Sequence, residues 1–129
     1  MSAKQKSKLE LLLSVKKIEN KEIYPSQRFK DAGSTITIRA IDDADYKDAQ
    51  VLATKADGEL DELKLSMSLI EKAIVEPTVA ELREATGAMT NELALKAVFN
   101  IGERAKISEQ VLDLSGFQKF DAQVEEAKK

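Results

Sequence analysis

Five glycines, at positions 33, 58, 87, 102 and 116, fall where an apolar pattern breaks off, and they restrict this chain to short elements. Between them, aliphatic residues recur every three or four positions, a spacing that gathers them on one face of a helix. Leu9, Leu12 and Leu13 follow a capping Ser7, with residues 16–20 as a frayed end. Ala49, Leu52, Ala53 and Ala56 follow Asp42 or Asp43, either of which can cap a helix, and the pattern stops at Asp57 and Gly58. Glycine ends helices because it takes the left-handed C-cap conformation at low cost. Thr78 and Glu81 form a capping box that opens a helix ending near Gly87. Thr90 or Asn91 opens the next, with Ala94, Ala97, Val98 and Ile101 on one face. Gly102 either divides a long helix here or is tolerated within it. Ile107, Val111 and Leu114 then lead to a stop at Ser115, Gly116 and Phe117.

One stretch has a different period. In residues 34–41, Ile36 and Ile38 alternate with Thr35, Thr37 and Arg39, as in a half-buried strand. The turn signal at residues 30–33 pairs it with residues 21–29 in a predicted β-hairpin, and Pro25 marks the first strand as an edge. Residues 60–75 also alternate locally, but their helical stripe (Leu63, Met67, Ile70, Ile74) runs longer, which predicts a helix closed by Pro77. With no Trp and 5% aromatic residues, the core must be aliphatic. The predicted architecture is mainly α (α+β): a small β-hairpin near the N-terminus packed against about five or six helices. It is expected to form a single domain over 1–129. Residues 1–7 are expected to be disordered and 118–129, with Phe120, Val124 and Ala127, to form a loosely held helix.

Composition narrows the chemistry. The chain has neither Cys nor His. Disulfides, thiolate catalysis, Cys-type zinc sites and triads built on His are therefore excluded. No catalytic, cofactor-binding or metal-binding residues are expected, and no cofactor. Asp42, Asp43 and Asp45 lack the central Gly of a calcium loop and read as helix-capping acids. Asp57, Glu59, Asp61 and Glu62 read as a charged loop entering a helix. A net charge of −3 argues against a nucleic-acid partner. No apolar run approaches a membrane span or a secretory signal, so no membrane partner is expected. Only carboxylate, Lys or Tyr chemistry would remain for an enzyme, and the expectation is instead a protein that binds another protein.

Arg28 and Phe29 read as structural, with Phe29 in the core and Arg28 paired to a carboxylate; the alternative reading is part of a recognition surface. The C-terminal half holds many apolar positions. They can fill one core or leave a surface for a partner helix. Candidates for that surface are Leu93, Val98, Ile101, Ile107, Val111, Phe117 and Phe120.

Three segments carry a family resemblance. I-Y-P-S-Q-R-F-K-D-A-G-S-T-I-T-I-R-A-I spans 23–41, its S-Q-R-F-K-D-A-G run leading into the second strand; I-V-E-P (74–77) precedes a helix with Glu81 and Leu82; and I-G-E-R-A-K-I-S-E-Q-V-L-D-L-S-G-F spans 101–117. In this order they resemble the XkdN-like tail assembly chaperones of bacteriophages and prophages. The chain departs from that pattern at Ile36 and Ile38, where the family often has an aromatic, and at Ile101, where it often has Pro. The resemblance implies a mainly helical fold and a chaperone that binds the phage tape measure protein. It implies that the chaperone keeps this client soluble during tail tube assembly, in the host bacterial cytoplasm, and is absent from the mature virion. Self-association into oligomers is a further expected partnership. The alternatives are a structural virion tail component, such as a connector, and a small protein-binding regulatory module.

Overall fold

The structure, a computed structural model, describes residues 7–117. The expectations for 1–6 and for the helix at 118–129, with Phe120, lie outside the described residues. Seven helices and three strands are described, in the order α1 (Lys8–Leu13), β1 (Lys21–Ile23), α2 (Gln27–Asp31), β2 (Ile36–Ile38), α3 (Asp43–Ala53), α4 (Glu62–Ala73), β3 (Ile74–Glu76), α5 (Val79–Thr86), α6 (Asn91–Val98) and α7 (Ile101–Leu114). The fold is mainly helical with a small antiparallel sheet.

Most helix starts follow from local chemistry. Ser7, Asp42, Asp61, Thr78, Thr90 and Asn100 each accept a hydrogen bond from an amide in the first turn of the helix that follows. Asp45, Glu81 and Glu103 reach back to complete capping boxes. Each cap satisfies an amide that the helix cannot. Gly87 ends α5 at φ 72°. Gly116 follows α7 at φ 92°, and the Phe117 amide donates back to the Leu112 carbonyl at 2.8 Å. The long helical pattern is divided just before Gly102: Phe99 is extended and Asn100 caps α7 afresh.

The sheet corrects the predicted hairpin. Its strands run in the order β1-β2-β3, all antiparallel. β1 and β2 are three residues each and pair Lys21 with Ile38 and Ile23 with Ile36. Residues 27–29, expected to finish the first strand, and residues 30–31, expected to open the turn, instead form α2, which begins just after Pro25 and Ser26. The third strand was not predicted. Ile74 pairs with Ile38, and a bulge separates that pair from the Thr37–Glu76 pair. α4 therefore passes directly into a strand and ends at Ala73, before Pro77 can stop it.

α3 also ends earlier than Asp57 and Gly58. The Thr54 hydroxyl donates to the Gln50 carbonyl at 2.6 Å, and Thr54 bridges to Leu60 across a tight turn. Gly58, at φ 88°, serves that turn rather than the helix end.

One core draws on every layer. Ile36 and Ile38 of β2, Leu69 and Ile70 of α4, Leu95 of α6, Phe99, and Ile107 and Val111 of α7 are buried in a single cluster. Burying each such side chain contributes about 1.5–3 kcal/mol. Ser66 and Ser108 meet where α4 crosses α7, at 3.3 Å.

Candidate functional site

α6 and α7 meet at an elbow, Phe99–Asn100, and the residues around it decide what this part of the molecule can present. Phe99 is fully buried and stacks on Phe29 of α2, with ring centroids 5.5 Å apart. Arg28 lies over the outer face of the same Phe29 ring, 4.9 Å from its centroid. Its guanidinium grips Glu103 through two bonds of 2.6 Å, Nε to Oε2 and Nη2 to Oε1. Nη2 also donates to the Val98 carbonyl at 3.0 Å, near the end of α6. The Ser26 hydroxyl donates to Glu103 Oε2, and the Asn100 amide donates to Oε1 at 2.8 Å.

Glu103 is thus a buried carboxylate, 2% exposed, whose partner Arg28 is 60% exposed. The hydrogen bond from Arg28 is the main reason its carboxyl is held down at about 2. Ser26 and the Asn100 amide add to that effect, and burial opposes it. The Arg104 guanidinium donates to the Phe99 carbonyl at 2.6 Å. The elbow is therefore clamped from two sides. This arrangement fixes the angle between two helices and ties them to α2.

The clamp joins two of the resembling segments, since Arg28 belongs to R-F-K-D and Glu103 to I-G-E-R. A second tie is similar in kind. The Ser115 hydroxyl of L-S-G-F accepts from the Ile41 amide at 2.8 Å, and Phe117 stacks on Tyr46 with centroids 5.0 Å apart. Sequence reasoning expected Arg28 to pair with a carboxylate and Phe29 to be structural. It did not single out Glu103. The available signal was Asn100 three residues earlier, a capping-box spacing.

The structure separates the candidate binding residues. Ile107 and Val111 are 0% exposed and face α4 in the core, so as a partner surface they are corrected: their stripe is taken by the protein's own interior. Phe117 is half-buried on Tyr46, and Val98 is half-buried against the core. Leu93 and Ile101 are 51% and 57% exposed. Phe120 lies outside the described residues. Met89, four residues before Leu93, is more exposed still, and Ala97, four residues after, is also at the surface.

Two open clefts flank this region. One, of about 640 Å³, lies between residues 24–30 and the start of α7, with Tyr24, Pro25, Lys30 and Lys106 among its walls. The other, of about 420 Å³, lies between the start of α4, α6 and α7. Leu63 and Met67 supply its apolar part, and Lys64, Glu92, Lys96 and Arg104 its charged part. The second cleft is mainly polar, with Leu63 as its exposed apolar residue.

No curated protein matches the chain. Among solved structures, the crystal structure of the protein YqbN is similar, with a TM-score of 0.66 and 22% identity over 89% of this chain and 99% of that one. That likeness speaks to the fold. The family model for the phage XkdN-like tail assembly chaperone protein matches residues 9–128. On that match, spanning nearly the whole sequence, the chain belongs to the XkdN-like phage tail assembly chaperone family.

Proposed function

We propose that this chaperone binds the phage tape measure protein and keeps it soluble while the tail tube assembles. It would act in the host bacterial cytoplasm and be absent from the mature virion. The observation that carries this reading is the division of labour along α6 and α7. Leu95, Phe99, Ile107 and Val111 fill the core, while Leu93 and Ile101 remain more than half exposed. A long helical client exposes an apolar stripe that water disfavours. Leu93, Ile101 and the neighbouring Leu63–Met67 cleft can cover such a stripe, and the charged margins keep the complex hydrated. The contacts are modest and spread out, as a chaperone that must later release its client requires.

The test is co-expression of the tape measure protein with the wild type and with a Leu93→Glu, Ile101→Glu double variant. Both positions are exposed, so circular dichroism should not change. The variant should lose co-purification and leave the client in the pellet. Co-purification at the wild-type level would remove this surface from consideration. Mass spectrometry of purified particles separates a chaperone from a structural tail component, which would be found in them.

A further inference from the structure

The segment from Lys8 to Ile18 is the most apolar exposed part of the described chain. Leu9, Leu11, Leu12, Leu13, Val15 and Ile18 are each between 53% and 74% exposed, and α1 buries none of its residues. A six-residue helix is marginal in water without packing. Leu9, Leu12 and Leu13 share one face of it and none belongs to the core cluster. This arm is also basic. Residues 1–17 hold five lysines and one glutamate, so of the chain's 20 basic and 23 acidic residues the remainder keeps 15 and 22.

A surface of matching character lies at the corner between α3 and α4. There the Lys55 amide donates to the Glu59 carbonyl at 2.7 Å and the Asp61 amide to the Ala53 carbonyl at 2.8 Å, folding the turn back tightly. Val51 and Leu52 at the end of α3, Leu60 in the turn and Leu63 at the start of α4 are all exposed. Asp57, Glu59, Asp61 and Glu62 surround them, against Lys55 and Lys64.

We propose that the basic apolar arm of one copy docks on the acidic apolar α3–α4 corner of a second copy. The arm's leucines would cover Val51, Leu52, Leu60 and Leu63, while Lys8, Lys16 and Lys17 meet the acidic rim. Arm and corner are different surfaces, so each copy has one of each. The contact is head-to-tail and builds rows or rings rather than a closed symmetric pair. It leaves Leu93 and Ile101 free and shares only the Leu63 edge of the cleft with the client surface proposed above, and neither variant used below alters Leu63, Leu93 or Ile101.

Sedimentation velocity on the full chain tests this. The wild type should exceed its 14.3 kDa monomer mass increasingly with concentration, and added salt should weaken the association. An arm variant, Leu12→Asp with Leu13→Asp, and a corner variant, Leu52→Lys with Leu60→Lys, should each sediment as monomers with wild-type circular dichroism. Mixed, they should form a one-to-one dimer, because the first keeps its corner and the second keeps its arm. The proposal is overturned if the wild type is monomeric at all concentrations. It is equally overturned if the corner variant still associates, or if the two variants fail to combine.

Discussion

The Arg28–Glu103 clamp predicts an unequal response to removing its two halves. Glu103 is enclosed and Arg28 is not, so the group left behind differs in each case. Glu103→Gln leaves a guanidinium that water can reach. The glutamine oxygen can still accept from the Asn100 amide, so the expected loss is about 1–2 kcal/mol. Arg28→Met keeps apolar cover on Phe29 but strands a buried carboxylate with only Ser26 and the Asn100 amide. Leaving an enclosed charge without its partner costs more, about 2–3 kcal/mol once the solvent at the Arg28 end is counted.

The pH dependence follows from the same geometry. A carboxyl held at about 2, against an ordinary 4.5, stabilises the fold fully above the unfolded value. That stability is lost as the pH falls from 4.5 towards 2. The linkage amounts to roughly 3 kcal/mol at neutral pH, reduced to about 2 by the solvent at the Arg28 end. Urea unfolding followed by circular dichroism at intervals from pH 7 to pH 2 measures both effects. The gap between the wild type and Glu103→Gln should close over that acid window, and at pH 7 Arg28→Met should be the less stable variant. If Glu103→Gln is as damaging as Arg28→Met, or the gap does not depend on pH, the clamp does not work as described.

Two further outcomes test local chemistry. Ile101 is the first residue of α7, a position that suits proline, and Asn100 before it is extended at φ −75°, ψ 174°, as a residue preceding proline must be. Ile101→Pro should therefore raise stability by about 0.4–1 kcal/mol through the unfolded chain, read as a higher urea midpoint with an unchanged slope. Thr78→Ala removes the hydroxyl that accepts from the Glu81 amide at 3.1 Å, and should cost about 1 kcal/mol in the same assay.

Cap residues were legible in the sequence because capping is decided within four residues. Asp42, Thr78, Thr90, Gly87 and Gly116 all act where the pattern placed them. β3 was not legible, since three residues show no period and their pairing partner, β2, lies far back in the chain. α2 was missed for a related reason: five residues after a proline look the same as an irregular strand end. The partner of Arg28 sits 75 positions away, beyond anything spacing can report. The apolar stripe on α7 was read correctly as a face, but a stripe does not say whether the protein's own core or another molecule takes it. For Ile107 and Val111 the core takes it. For Leu93 and Ile101 it does not.

The brevity of the sheet has a consequence for how this chain fails. Both outer strands, β1 and β3, are three residues long. β1 carries Lys21 and Glu22, and β3 ends in Glu76 with Pro77 next in line. Edges this short and charged are poor templates for strand addition by a second chain, and proline supplies no amide to extend the ladder. Crowding or overproduction should therefore not seed cross-β growth from the folded state. Deposits that do form should trace to the leucine-rich helical segment at residues 9–13, and they should dissolve with detergent rather than resist it.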